Sequence, residues 1–239
     1  MVCWGVCMTT HFNSHGQPIG SPVGDWQNCL APTRDSYIGQ YGQIEPLQVG
    51  QHGHDLFSAF VDATDNADWT YLPYGPFTQE KEFLAWLSTR AESDDPLFYA
   101  IIDKATGKAV GMASYLRIDP ANGVIEVGHI HFSRRLQKTP IATEAMYLMM
   151  KQAFDLGYRR YEWKCDAHNA PSCKAAKRLG LIYEGTFRQA VMYKNRNRDT
   201  AWFAVIDRDW PLLQGRFEQW LKTSNFDAKG RQRRRLQDC

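Results

Sequence analysis

The chain has 239 residues, 44% of them hydrophobic, with 28 lysines and arginines against 26 aspartates and glutamates. That length can bury one substantial core, and the near balance of charge argues against a protein built mainly on attraction to nucleic acid. No apolar run reaches the ~20 residues a membrane-spanning helix needs, so no membrane partner is expected.

Six cysteines (Cys3, Cys7, Cys29, Cys165, Cys173 and Cys239) lie far apart without a CxxC pair. They read as reduced thiols of a cytoplasmic protein. The opening MVCWGVCM is apolar but lacks a basic leader, so it is not read as a secretory signal.

Residues 8–42 are rich in Gly, Pro, Ser, Asn and His without a sustained period, which predicts an irregular N-terminal arm over 1–42. Residues 43–222 form the expected domain. IEPLQV (44–49) reads as a short strand, His52 and His54 as a surface turn around Gly53, and HDLFSAFVDATD (54–65) as a short helix. The aromatic stretch WTYLPYGPF (69–77) is broken by two prolines, and a helix from Thr78 to about Ala91 follows.

LFYAII (97–102), the turn DKATGK and AVGMASYLRI (109–118) predict a hairpin, extended by VIEVGHIHF (124–132) after DPANG. The loop SRRLQKTP leads into a helix whose face is Ala142, Met146, Met149, Ala153 and Leu156, stopped by Gly157. RRYEWKC (159–165) is the next strand. A strand, a helix and a strand imply a right-handed crossover, so the strands ending at Phe132 and Cys165 are expected to be parallel. A shorter helix (169–180), two strands (183–193 and 199–206) and a helix in DWPLLQGRFEQWL complete the domain. Residues 223–239 form a basic C-terminal tail, in which Lys229 and GRQRRR carry five positive charges. It is expected to be solvated; binding of a polyanion through it is the alternative.

The loop at 133–140 opens a helix N-terminus, where free backbone N–H groups suit an anion such as phosphate. Neither GxGxxG nor GxxxxGK[ST] occurs, which disfavours a dinucleotide fold or a P-loop. Gln137-Lys138-Thr139-Pro140-Ile141-Ala142 and DAHNAPSCKAAKRLGLIYEG, in this strand order, resemble the GNAT superfamily of N-acetyltransferases over about residues 43–210, nearest the ribosomal-protein alanine acetyltransferase branch. The first segment takes the place of the family's Q/R-x-x-G-x-G/A pyrophosphate loop and the second that of its N-x-x-S segment.

The resemblance implies a mixed α/β fold: a central, mostly antiparallel sheet with a splayed parallel strand pair and flanking helices. It implies acetyl-CoA as co-substrate, held by the backbone of Ile130, His131 and Phe132, by Gln137, Lys138, Thr139, Ile141 and Ala142, and by Asn169 and Ser172. The acceptor would be a primary amine, on a small molecule or a protein N-terminus. Pro140 replaces the family's central glycine and removes one donor, though proline is best tolerated at the first helical position. The amides of Lys138, Thr139, Ile141 and Ala142 are expected to stay open.

Glu126 is the expected general base, since alternation places it with Val124, Gly128, Ile130 and Phe132 on a mainly apolar strand face that raises a carboxyl pKa. The family's general-acid tyrosine position is Ala176, leaving Ser172 as the donor to the departing thiolate, assisted by Tyr183 or a water. A CoA-binding module without catalysis is the alternative these departures leave open.

His129 and His131 are expected on the face opposite Glu126, with no third metal ligand nearby, so no metal is expected. His168 is a candidate proton relay, and Trp69, Tyr71, Tyr74 and Phe77 a candidate wall of the acceptor pocket. Nucleic acid is not expected as a partner, and a homodimer is left open.

Overall fold

The computed structural model describes residues 10–63 and 65–239; Cys3, Cys7 and the opening MVCWGVCM lie outside the described residues. In chain order the elements are β1 (His11–Phe12), β2 (Pro18–Ile19), β3 (Tyr37–Ile38), β4 (Gly42–Pro46), α1 (Val49–Val61), α2 (Glu80–Ala91), β5 (Leu97–Asp103), β6 (Lys108–Asp119) and β7 (Val124–Phe132). They continue with α3 (Pro140–Asp155), β8 (Arg160–Asp166), α4 (Ala170–Arg178), β9 (Ile182–Tyr193), β10 (Arg196–Ile206) and α5 (Trp210–Leu221). β1 and β2 pair with each other, and the remaining strands form one sheet in the order β3-β4-β5-β6-β7-β8-β10-β9. Every neighbouring pair is antiparallel except β7 and β8.

This is the mixed, mostly antiparallel architecture expected, and α3 is the crossover that makes β7 and β8 parallel. Thr139 caps the helix, its hydroxyl accepting from the Ala142 amide at 3.3 Å, and Pro140 occupies the first turn. Gly157, at φ +94°, ends it: Gly157 N bonds Phe154 O at 3.0 Å and Tyr158 N bonds Ala153 O at 3.1 Å, the paired bonds of a Schellman stop. Met146, Met149, Met150 and Ala153 are buried between the sheet and α5. Truncating Met149 to alanine should cost about 2–5 kcal/mol.

The opposite face carries α1 and α2 over a second cluster built on Leu56, Phe60, Phe83, Leu87, Phe98 and Met112. Here the sequence expectation is corrected. α1 begins at Val49, and His52 is buried, its Nδ1 accepting from the Gln48 amide at 3.1 Å and its Nε2 lying 3.1 Å from Glu45 Oε2. Gly53 lies inside the helix because α2 packs there; a Cβ would stand 2.4 Å from Leu84 Cδ2.

Two further segments differ from expectation. Tyr37–Ile38, read as irregular arm, is the outer strand of the sheet, and the turn after it is held by Glu144 of α3. Earlier arm residues cross the end of the sheet where β7 and β8 begin: Trp26 Nε1 donates to Ala121 O at 2.8 Å and Leu30 N to Leu156 O at 3.2 Å. The basic tail is anchored to α5 at its two ends, while Lys229 and the GRQRRR run between them stay exposed, as expected. Buried Asn225 accepts from Arg234 N at 2.9 Å and donates to Trp220 O at 3.0 Å, and Leu236 is buried.

Candidate active site

Parallel pairing of β7 with β8 runs only from Val124–Arg160 to Val127–Trp163. Beyond it β8 stays paired with β10 as far as Asp166, so the strands part and the edge of Gly128–Phe132 is left facing a seam. A bulge accompanies the parting. His129 has φ +49°, and the β6 register jumps from Ser114–Gly128 to Met112–His131.

The bulge overturns the expected faces. Met112, Ser114 and Leu116 alternate along β6 and pair with His131, Gly128 and Glu126, so His131 shares the face of Glu126. Ile130 and Phe132 turn instead to the α3 side and pack against the larger core. The His131 ring stacks on Phe60 at 3.7 Å, while the His129 ring stacks on Tyr74 with Nδ1 3.2 Å from its hydroxyl. Burial drives His129 down to about 4 and His131 to about 3, so both rings are neutral at neutral pH. Among the described residues no group of three or more His, Cys, Asp or Glu side chains is placed to hold a metal ion.

The seam opens into a cleft of about 1620 Å³ that runs from the N-terminus of α3 to the open face of β8 and β10. On the α3 side the loop is largely satisfied by itself. Gln137 Nε2 donates to Phe132 O at 2.8 Å, and Thr139 N donates to Leu136 O at 3.3 Å. With Ala142 N bonded to Thr139 Oγ1, two of the four amides expected to be open are occupied, and Lys138 and Ile141 supply the rest. Lys138 adopts φ +63° and is exposed at the cleft. The Ile141 side chain is turned inward, where it would meet a Cβ on Gly42 at 2.6 Å.

Asn169 caps α4 by accepting from Ser172 N at 3.1 Å. The Ser172 hydroxyl accepts from Trp163 Nε1 at 3.0 Å, which leaves its own proton to donate into the cleft. Ala176 is fully buried. Tyr183 bonds Thr186 Oγ1 at 2.8 Å on the surface, so the expected assistance to Ser172 has no geometric basis. The ring of His168 is also exposed, and the residue enters the site only through its backbone, its carbonyl accepting from Tyr71 OH at 3.1 Å and its amide donating to Asp166 Oδ1 at 2.8 Å. Of the aromatic stretch, Tyr71 reaches the cleft with its neighbours Thr70, Leu72 and Pro73, while Trp69 and Phe77 pack among Phe60, Phe83 and Trp86. Gly230, Arg231 and Gln232 of the folded tail border the cleft near Arg178 of α4.

On the other side Glu126 is buried and its Oε2 lies 2.8 Å from Lys164 Nζ. The same ammonium is 2.6 Å from Glu162 Oε2, and Arg160 Nε is 2.6 Å from Glu162 Oε1. Burial raises the Glu126 pKa beyond what Lys164 and Arg117 lower it. In Glu162 burial also raises the pKa, but bonds to Lys164 and Arg160 outweigh it and the net shift is downward. Two neighbouring carboxylates are thus driven apart, with Glu126 the more basic.

Lys164 also sits 3.8 Å over the Trp202 ring, and Asp166 accepts from Tyr193 OH at 2.8 Å. Sequence reading missed these residues. Their signal was alternation: Glu162, Lys164 and Asp166 on one strand and Thr200 and Trp202 on the next form a polar face, paired in register as Trp202–Lys164 and Thr200–Asp166.

A family model described as an acetyltransferase (GNAT) domain matches residues 51–182. The crystal structure of a GCN5-related N-acetyltransferase from Brucella melitensis is 46% identical, with a TM-score of 0.87 over 89% of this chain and 97% of that one. That of a probable acetyltransferase (GNAT family) from Chromobacterium violaceum ATCC 12472 is 40% identical, with a TM-score of 0.76 over 82% and 98%. An uncharacterized N-acetyltransferase, p20 of Bacillus licheniformis, is 26% identical over 144 residues, which is 59% of this chain and 80% of that protein. Seam, capped crossover helix and matched domain agree: the chain belongs to the GNAT family of acetyltransferases, acyltransferases that use acetyl-CoA as co-substrate.

Proposed function

We propose that the protein transfers acetyl directly from acetyl-CoA to a primary amine within a ternary complex, with the cofactor in the β7–β8 seam and the acceptor over β8 and β10. The observation that carries this reading is the unpaired edge of Gly128–Phe132 leading to the start of α3. Main-chain groups of Ile130, His131 and Phe132 can bond an extended pantetheine arm as they would a strand. The diphosphate then meets the Lys138 and Ile141 amides, the positive end of the α3 dipole and the Lys138 ammonium. Gln137, Thr139 and Ala142 hold the loop in shape, and Asn169 fixes Ser172.

In the reaction the amine nitrogen attacks the thioester carbonyl, its proton passes to Glu126 directly or through water, and the carbon–sulfur bond breaks. Ser172 passes a proton to the departing thiolate while taking one from water in the cleft, and Glu126 returns the amine proton to solvent. A reduced thiol set supports a cytoplasmic setting. The acceptor is a small amine or a protein N-terminus, the latter in keeping with the likeness to ribosomal-protein alanine acetyltransferases.

The test is thiol release from acetyl-CoA across an amine panel, together with thermal shift by acetyl-CoA. Glu126→Gln should keep the shift and lose at least tenfold in turnover. Full turnover in that variant removes Glu126 from the mechanism, and absence of both shift and turnover in the native protein removes the reading.

A further inference from the structure

The open face of β8 and β10 is richer in hydrogen-bond donors than its own residues can use. Arg198, Thr200 and Trp202 follow one another along β10, and all three border the cleft. The Arg198 guanidinium forms no ion pair or hydrogen bond among the described residues, and its Nε is buried without a partner. Thr200 Oγ1 and Trp202 Nε1 are likewise buried and unpartnered. Such groups cost folding free energy unless something else satisfies them, and three in a row at a cleft mark a ligand position.

The neighbouring acids are engaged. Glu126 and Glu162 share Lys164, Glu162 also holds Arg160, and Asp166 accepts from Tyr193 and from the His168 amide at 2.8 Å. Arg198 is therefore the cation of this face that lacks a counter-ion among the described residues. Arg198 lines the cleft together with His129 across the seam, Cys165 of β8 and Tyr193 of β9. The tip of the β9–β10 hairpin is fixed over it: Lys194 Nζ donates to Trp69 O and Arg196 to Thr70 O, each at 2.8 Å.

Resting on the acetyl-transfer reading above, we propose that Arg198, with Thr200 and Trp202, forms a subsite for an anionic oxygen group, a carboxylate, carried by the acceptor amine. Guanidinium is suited to this role because its forked donors match a carboxylate and cannot be deprotonated. Neighbouring strands lie about 4.8 Å apart, so an amine at the seam and a carboxylate over β10 are separated by roughly one to two strand spacings. That span fits an amino carboxylate with a short spacer, or a peptide whose acidic residue closely follows its N-terminal amine.

The experiment compares ω-amino carboxylates of two to six carbons with their carboxamides, O-phosphoethanolamine with ethanolamine, and N-terminal peptides bearing Asp or Asn at the second position. Native protein and the variants Arg198→Gln and Arg198→Lys are used. Acetyl-CoA thermal shift is measured first on each; absence of the shift in the native protein overturns the acetyl-transfer reading and this proposal with it. With the shift present, the native protein should prefer a carboxylate over its matched amide by at least tenfold in kcat/KM. Arg198→Gln should erase that ratio through KM, and Arg198→Lys should retain part of it.

Where no panel member is acetylated, the carboxylates must raise the melting temperature of the CoA-loaded native protein and fail to do so with Arg198→Gln. Equal use of carboxylate and amide, a ratio that survives Arg198→Gln, a preference for the phosphate alone, or absence of any carboxylate-dependent shift overturns the proposal.

Discussion

Lys164 Nζ stands 2.8 Å from Glu126 Oε2, and this ammonium also neutralises Glu162 at 2.6 Å. Replacing Lys164 by methionine leaves two buried carboxylates facing each other. Removing one partner of a buried ion pair costs about 3–5 kcal/mol, to be read by urea unfolding at neutral pH. The pH dependence has a definite sign. Glu126 already has a pKa above the ordinary 4.5, and Lys164 is the largest influence lowering it. Without Lys164 it rises further. A carboxyl whose folded pKa is raised adds stability below its unfolded value and loses it as pH climbs through the folded value. Lys164→Met should therefore be closer to native stability in acid than at neutrality. If ionised Glu126 is the base, the acid limb of its kcat/KM profile should move to higher pH; an unmoved limb separates Glu126 from the proton transfer.

Glu144 is the tie between the sheet's outer edge and the crossover helix. Its buried carboxylate accepts from the amides of Gln40, Tyr41 and Gly42 at 2.6, 2.8 and 2.7 Å. Gly39 is required there, since a Cβ would lie 2.3 Å from Glu144 Cδ. Glu144→Ala should lose about 2–4 kcal/mol of stability, because three amides lose a charged acceptor. Acetyl-CoA binding per folded molecule should be unchanged. A drop below 1 kcal/mol in denaturant unfolding would show that solvent replaces the carboxylate at little cost.

Much of this frame was legible in the residues, and what was not has a local cause. The crossover and its parallel strands could be read because Thr139, Pro140 and Gly157 punctuate α3 with the chemistry helices use at their ends. The bulge at His129 could not: a left-handed histidine carries no glycine to announce it, and one inserted residue moved Ile130, His131 and Phe132 to faces opposite those expected. His52 looked like a turn residue beside Gly53 because close helix packing by Leu84 is a tertiary demand. The donors of β10 had a regular alternation to announce them, Thr200 and Trp202 standing in unbroken register with Asp166 and Lys164, but alternation does not say which side of a strand faces a cleft.

Pro140 offers a direct test of the anion site. It occupies the first turn of α3, where its missing N–H leaves the Lys138 and Ile141 amides as the open donors of the loop. Pro140→Ala restores a donor without changing the helical backbone. One added hydrogen bond to a charged group is worth about 1.5–3 kcal/mol, which converts to roughly tenfold or more tighter acetyl-CoA binding. Loss of the proline's restriction on the unfolded chain should lower stability by less than about 1 kcal/mol. Titration calorimetry with CoA and with dephosphorylated pantetheine separates the effects: the gain should appear only with the diphosphate present.

Cys165 and Cys173 bring two sulfur atoms to 3.6 Å beside the seam, an arrangement that invites a thiol mechanism. The electrostatics oppose one. Burial pushes the Cys165 thiol well above its ordinary range, and the proximity of Cys173 adds to the rise. Because thiolate is the nucleophile, a thiol held well above its ordinary pKa supplies far less of it near neutrality than a free cysteine does. Cys165 should therefore react with iodoacetamide far more slowly than a free cysteine at pH 7.5, and faster only on unfolding. Cys165→Ala should acetylate amines at close to the native rate and show no acetyl-enzyme by intact mass spectrometry, because direct attack by the amine needs no sulfur. A burst of acetylated native protein that vanishes in Cys165→Ala would replace the ternary-complex mechanism with a two-step one.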